Sequence, residues 1–300
     1  MWYRIWLYVY FTWFRPMFKW ALRRATGKCE LLRICCGNHS KGGRKTRAVE
    51  KSLRQSHLGS LQRLASDEDL NVLEAVKYVM IVKNIDPKIY PDFSPILQSS
   101  LRQICGYNAL VKEIEALKKE KYSTANPAHE QDLLKLWRLL KPNDKLEKRT
   151  CKQWGEIGFQ GDDPATDFRG MGVLGLQNLL FFAENYNGVA RQVLTHSQHP
   201  TLWYSYAVVG INLTSMTYHL LRDGALRDYF YHSITGQPSI YHFHKVYCYI
   251  FSEFDRFWFA SKPKSVMEFG SIRDKFEKKF LETLKDNQLQ AVLQNNYTWT

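Results

Sequence analysis

Apolar residues recur at intervals of three and four along most of the chain, the spacing of one buried face on an α-helix. Leu70, Leu73, Val76 and Val79/Met80 predict a helix ended by Asp86-Pro87, and Ser66 with Asp69 three residues on resembles a capping box at its start. Leu97, Leu101, Ile104, Leu110, Ile114 and Leu117 predict a long helix over 97–121, with Gly106 as a weak point or a break. Further helices are predicted over 130–140, 170–185, 189–196, 202–221 (closed by Gly224), 240–260 and 266–285. No segment alternates apolar and polar residues, and no Asn-Gly or Asp-Gly turn joins two β-branched runs. The expected fold class is therefore all-α. Phe243, Tyr247, Ile250, Phe254 and Phe257 fall on one stripe of the 240–260 helix and read as core, not as an aromatic cofactor site.

The first segment to depart from this pattern is the N-terminus. Residues 1–25 are uncharged only from Ile5 to Phe14, short of the roughly twenty apolar residues that span a bilayer. On a helix, Arg4, Tyr8, Thr12, Arg15, Lys19 and Arg23 follow one polar stripe, while Trp2, Trp6, Val9, Trp13 and Met17 fall elsewhere. A cationic stripe beside bulky aromatics describes an amphipathic, membrane-associating anchor on an anionic surface. A removed targeting segment and a core-packing helix are the alternatives; arginines at both ends and the lack of a small-residue cleavage site weigh against the former. Pro16 removes the bond to the Thr12 carbonyl, so two helices meeting near Arg15 compete with a single one. Cys29, Cys35 and Cys36 follow closely, either as acyl acceptors that strengthen the anchor or as plain thiols. Residues 26–60 are basic, and 37–60 in particular are Gly-, Ser- and Lys/Arg-rich with little apolar periodicity; they read as a linker, helical at most in part.

Composition adds a boundary condition. With 45% hydrophobic and 24% charged residues, the chain of 300 excludes collagen-like, low-complexity and wholly disordered classes. The net charge of +13 is lopsided: residues 1–60 hold 13 Lys and Arg against 2 acidic residues, and the remainder is nearly balanced at 29 against 27. The basic character therefore calls for membrane lipid near the N-terminus, not for a nucleic-acid groove on the body. Six cysteines without a C-x-x-C pair suit a reducing cytosol, and the three N-x-S/T sequons at Asn38, Asn212 and Asn296 carry little weight. His244 and Cys248 stand one helical turn apart beside His242, but no further pair completes a zinc set, so all three read as packing and surface positions and no metal is expected. Signatures for nucleotide binding, serine hydrolysis and metalloproteolysis are missing.

The second departure is Trp154 to Gly172, WGEIGFQGDDPATDFRGMG. Five glycines and a proline in nineteen residues specify a shaped loop. Asp163-Pro164 gives a turn, and Thr166 or Asp167 is a candidate N-cap for the helix starting near Gly170. Arg169 lies just inside that start, near Asp162, Asp163 and Asp167. Those carboxylates can simply tie Arg169 into the loop, a surface pairing worth about 0–1 kcal/mol. Alternatively, the turn presents the guanidinium outward, and an arginine supplied in trans to a GTPase is worth about 10³–10⁵ in rate. The residues alone leave both readings open.

The same loop resembles a family signature, W-x-x-x-G-F-Q-G-x-x-P-x-T-D-F-R-G-x-G-x-x-x-L-x-x-L. It is matched without departure by Trp154, Gly158, Phe159, Gln160, Gly161, Pro164, Thr166, Asp167, Phe168, Arg169, Gly170, Gly172, Leu176 and Leu179. On these residues the chain is similar to ELMO domains, and the resemblance runs from Gly27 through His129 and Tyr204 to Tyr247. It implies an all-helical GTPase-activating protein for GTP-bound Arf and Arf-like small GTPases, with Arg169 as the catalytic arginine finger. Such a protein is an activator, not itself an enzyme: it needs no cofactor, because Mg²⁺ and GTP belong to the partner. Gln160 either positions the partner's machinery or caps its own turn, Asp167 orients Arg169 or caps the helix, and Trp154 and Phe159 anchor the loop or, as aromatic hot spots, contact the partner. The resulting division is a membrane-associating segment at 1–25, a basic linker at 26–60, an N-terminal helical region at 61–125, the ELMO domain at 126–286 and a tail at 287–300. The expected location is cytoplasmic, peripheral on the cytosolic face of intracellular membranes. A non-catalytic GTPase-binding module and a membrane-tethered adaptor are the rival readings.

Overall fold

The computed structural model describes Trp6 and residues 13–37, 42–234 and 236–285. Among the described residues every regular element is helical and none is a strand, as the periodicity predicts. The chain forms two compact groups, Met1–Ala109 with Phe230–Gln237, and Leu110–Tyr229 with Pro238–Thr300. Trp2 and Arg4 of the expected anchor, the side chains of Arg15 and Lys19, and the tail at 287–300 lie outside what is described.

The first group contains α1 (Arg15–Thr26), α2 (Glu30–Cys36), α3 (Gly43–Arg54), α4 (Gly59–Leu64), α5 (Val72–Lys83) and α6 (Phe93–Lys119) as far as Ala109. Helix α1 opens at its proline, where a missing N–H costs nothing, and is closed by Gly27, whose N–H reaches the Arg23 carbonyl at 2.9 Å. Trp13, Phe14, Met17, Phe18, Trp20 and Leu22 on and just before it are exposed, Trp13 by 72% and Trp20 by 68%. Trp6 is exposed as well. No described helix is long and apolar enough to cross a membrane.

The segment that reads as a linker is instead partly core. Helix α3 buries Thr46, Val49, Glu50 and Leu53, a stripe at helical spacing in which two members are polar. Glu50, only 1% exposed, accepts from Arg47 Nη1 (3.0 Å), Arg54 Nε (2.9 Å) and the Tyr231 hydroxyl (3.1 Å). Gln103 Nε2 donates to the Tyr231 and Ile234 carbonyls at 3.1 Å each, and its Oε1 accepts from Thr46 at 2.6 Å, which fastens Phe230–Gln237 to the first group. Cys35 is fully buried, and burial pushes its thiol up to about 12, which disfavours it as an acyl acceptor; Cys36 is exposed and Cys29 half-buried.

The expected capping box does not form. Helix α5 begins at Val72, where Asn71 Oδ1 accepts the Glu74 N–H at 3.3 Å. Ser66 Oγ donates back to the Arg63 carbonyl at 3.1 Å, so that hydroxyl is spent closing the preceding turn. Helix α6 runs through Gly106 without a break.

The second group holds the rest of α6, then α7 (Pro127–Leu140), two 3₁₀ turns (Lys152–Ile157 and Pro164–Arg169), α8 (Gly172–Asn185), α9 (Asn187–Ser197) and α10 (Tyr206–Arg222). Helix α11 (Arg227–Ser233) passes from the second group into the first, and α12 (Ile240–Ser261) and α13 (Phe269–Lys285) complete the second. Helix α8 is apolar around nearly its whole circumference and packs against α7, α9, α10 and α12. Of the predicted α12 stripe, Phe243, Tyr247, Ile250 and Phe254 are fully buried, and Phe257 is half-buried against Phe276. Helix α10 starts four residues later than its apolar pattern: Trp258 Nε1 donates to the Leu202 carbonyl (2.7 Å) and the Tyr204 hydroxyl donates to Asp255 Oδ1 (2.7 Å), holding this segment in place as a non-helical lead-in.

Candidate functional site

The loop from Trp154 to Gly172 is built on an aromatic stack. Trp154 is fully buried, donates from Nε1 to the Arg149 carbonyl at 2.8 Å, and meets Trp137 edge-on at 5.5 Å. Phe159 packs edge-on against Trp154 (5.8 Å) and Phe168 (5.6 Å), and Phe168 stacks on Tyr122 at 5.2 Å. Trp154 and Phe159 are therefore buried in the base of the loop and packed against its other aromatic rings. Pro164 is buried at the start of the second 3₁₀ turn, where Asp163 Oδ1 accepts the Ala165 N–H at 3.0 Å.

Two glycines allow the loop to sit against helix ends. At Gly158, with φ +82°, a Cβ would lie 2.2 Å from the Tyr206 nitrogen, and the Gly158 carbonyl accepts the Val208 N–H (3.2 Å) at the start of α10. At Gly172, with φ +54°, a Cβ would lie 2.3 Å from the Glu120 carbonyl oxygen and 2.5 Å from that of Lys118. Gly161 also has a positive φ, of 74°, but open space around it; Gly170 has a helical φ of −83°, and apart from its chain neighbours nothing lies within 4 Å of where its Cβ would stand.

The carboxylates are used differently from the sequence expectation. Asp163 does not engage Arg169; its Oδ1 receives Arg149 Nη1 at 3.0 Å. Arg149 also makes a close ion pair with Glu130 and donates to the Tyr122 hydroxyl at 3.4 Å. Asp167 Oδ2 accepts the Gln160 backbone N–H at 2.7 Å, so it pins the loop's two arms together. Burial raises the Asp167 carboxyl above its usual value, while the Gln160 N–H and the Arg169 guanidinium pull it back. Neither Thr166 nor Asp167 caps α8: the Val173 N–H goes to the Glu120 carbonyl at 2.9 Å, a bond that the close approach at Gly172 makes possible. Thr166 Oγ1 turns back to the Asp163 carbonyl at 3.1 Å.

Arg169 is exposed. Its Nε donates to the Thr166 carbonyl at 2.8 Å, and among the described residues neither Nη carries a hydrogen bond or ion pair. The side chain is thus fixed at its inner nitrogen and open at its fork. It borders a shallow hollow with Gln160, Thr166, Asp167 and Gly170 on one side and Val208, Ile211 and Asn212 of α10 on the other. Gln160 is exposed there, and the turn that its side chain could have capped is held by Asp167 instead. Asn212 Nδ2 is held by the Val208 carbonyl at 2.8 Å and Thr214 is fully buried, so this sequon is sterically closed.

Sequence reasoning missed Arg149, Glu130 and Tyr122, which brace the loop from outside the signature, and the α10 residues, which lie some forty positions away. Among the described residues no group of three or more His, Cys, Asp or Glu could hold a metal ion. His244 Nδ1 instead lies 2.6 Å from Asn178 Oδ1, and His242 Nδ1 lies 2.8 Å from the Ser239 hydroxyl.

The family model of the ELMO/CED-12 family matches residues 112–273, which include this loop, its brace and α10. The chain belongs to the ELMO/CED-12 family. This ELMO-family chain is 45% identical over 289 residues to ELMO domain-containing protein 2 of Bos taurus, covering 96% of this chain and 98% of that protein. It is 43% identical over 297 residues to ELMO domain-containing protein 1 of Mus musculus, covering 93% and 91%. ELMO domain-containing protein B of Dictyostelium discoideum is 32% identical over 292 residues, covering 93% and 99%. No solved structure matches this ELMO-family chain.

Proposed function

We propose that this ELMO-family protein is a GTPase-activating protein for Arf and Arf-like small GTPases, with Arg169 as the finger supplied in trans. One observation carries the reading: Arg169 is tethered through Nε to Thr166 while both Nη groups stay open on an exposed, rigid turn. A guanidinium held in this way meets a phosphoryl group with two parallel donors, and its charge cannot be neutralised by deprotonation. Placed beside the γ-phosphate of a bound GTPase, it offsets charge that develops as water attacks, worth about 10³–10⁵ in rate. Nucleotide and Mg²⁺ come with the partner. Asp167 and the Arg149 brace act as positioning residues, fixing the turn that carries Arg169.

The protein works peripherally at the cytosolic face of intracellular membranes. The exposed Trp13, Met17, Phe18 and Trp20, with Arg23 one turn on, form the apolar and basic parts of an interfacial anchor, and lipid-bound GTPases on the same surface are met at raised effective concentration.

Single-turnover GTP hydrolysis by a panel of Arf-like GTPases tests the central claim. Arg169→Lys is expected to lose most of the acceleration while partner binding persists; equal loss of binding and acceleration would reduce Arg169 to an interface anchor. Flotation with anionic liposomes, with and without residues 1–25, tests the anchor, and unchanged flotation would remove it from the proposal.

A further inference from the structure

The first group of helices holds a second hollow that the function above does not use. Arg23 from the last turn of α1, Arg33 of α2, His57, and Lys83 of α5 line it, with Glu30 as its single acidic residue and Gln55 at the end of α3. Ser52 Oγ donates to the Glu30 carboxylate at 2.8 Å, which spreads part of that charge. Three fixed cations therefore face one carboxylate, and the wall is positive.

Two atoms in that wall are unusual. Arg33 Nη1 and Gln55 Oε1 are both shielded from solvent, and neither has a hydrogen-bond partner. A buried donor on a charged group without a partner is among the costlier defects a fold can carry, and a buried amide oxygen adds to it. Groups of this kind are completed by ordered water or by a ligand, and because both atoms are shielded a ligand reaches them only once the two side chains turn into the hollow. The required ligand accepts at Arg33 and donates at Gln55. A fully deprotonated anion such as sulfate meets only the first demand; hydrogen phosphate, through its P–OH, and a phosphate ester on a hydroxyl-bearing group can meet both, and only the ester carries its donor on a group separate from the phosphate.

We propose that this hollow binds a phosphorylated polyol headgroup, its phosphate on Arg33, Arg23 and Lys83 and a hydroxyl on Gln55. The exposed Trp20 stands three residues before Arg23 on the same helix, so a headgroup seated here has an apolar face beside it for acyl chains. That placement favours a lipid source over a free sugar phosphate. Only the lipid source rests on the membrane reading above; the pocket chemistry stands without it, and without Arg169.

The test uses the full chain and calorimetric titration with glycerophosphoinositol phosphate, with inorganic phosphate as the comparison. Wild type is expected to bind the headgroup more tightly than phosphate. Arg33→Met is expected to weaken headgroup binding by roughly tenfold or more, the scale of one charge-assisted bond. The same variant is expected to raise the unfolding midpoint of the unliganded protein, because it removes an unpaired buried donor, and to leave GTPase activation off membranes unchanged. Lys83→Gln, at a half-buried position, repeats the binding loss if Arg33→Met does not fold. Equal headgroup affinity in wild type and both variants, or no binding by wild type, overturns the proposal. Vesicles of matched charge then assign the source: preference for phosphatidylinositol phosphate over phosphatidylserine, lost in Arg33→Met, supports the lipid, and no preference alongside intact soluble binding supports the free compound.

Discussion

Substituting alanine at Gly172 and at Gly170, two positions apart, should give opposite results. At Gly172 the backbone sits at φ +54°, where a side chain costs about 1–2 kcal/mol. The new Cβ would also lie 2.3, 2.5 and 2.9 Å from the carbonyl oxygens of Glu120, Lys118 and Leu117, which are backbone atoms that cannot rotate away. The start of α8 must then retreat from the end of α6, which breaks the 2.9 Å bond from Val173 N–H to Glu120 and leaves buried polar groups unpaired, for a further ~1–3 kcal/mol. We expect Gly172→Ala to cost about 2–5 kcal/mol, a large share of a stability of about 5–15 kcal/mol. At Gly170 the conformation is already helical and the space is open, so alanine only restricts the unfolded chain and should stabilise by about 0.4–1 kcal/mol. Urea unfolding followed by tryptophan fluorescence and circular dichroism measures both. Equal midpoints for the two variants, or a neutral Gly172→Ala, would refute the claim that the α6–α8 contact dictates glycine. Because Gly170→Ala is expected to keep the fold, a GTPase assay of this variant would, on the proposed function, report how closely a partner approaches Arg169.

Acid should destabilise the second group through His244. Burial lowers its imidazole to about 4 from 6.5, so the unfolded chain binds the proton first; stability is complete above pH 6.5 and falls as pH drops through 6.5 to 4. At 1.36 kcal/mol per pH unit the loss is about 3 kcal/mol, and His244→Gln, which donates to Asn178 without titrating, should flatten that slope in unfolding curves taken across the window. Arg149→Ala should cost about 1–3 kcal/mol by leaving the half-buried Glu130 and Asp163 without their shared cation. It should also lower GTPase activation with Arg169 intact, alongside faster proteolysis within 158–170; full activity would show that the brace does not position the turn.

The helical class and most helix positions were legible because α6, α8 and α12 repeat apolar residues at one period over many turns. Helix α3 was not, since its buried stripe includes Thr46 and Glu50, whose partners Gln103, Arg47, Arg54 and Tyr231 are polar or charged and are drawn partly from other elements. Asn71 in place of Ser66 shows how a cap depends on which hydroxyl is already spent. At the site, the shaped, glycine-rich loop followed from a local motif, while the motif left open whether Arg169 is tied down by its neighbouring carboxylates or faces outward. The use of Asp163 did not: a carboxylate chooses among cations in space, and Arg149 stands nearer to it than sequence proximity to Arg169 suggests.

The Nε bond of Arg169 has a kinetic meaning. A free arginine samples many rotamers and gives up about 2 kcal/mol of entropy when it is fixed. Here the stem is held before any encounter, so that part of the ordering cost is met during folding and not during association. The same restraint limits reach: the guanidinium cannot sweep far to find a target, and a productive partner must arrive in nearly one orientation. On the proposed function, selectivity among closely similar GTPases would then depend on the shape of the ground around the hollow, which Val208, Ile211 and Asn212 of α10 line opposite Arg169.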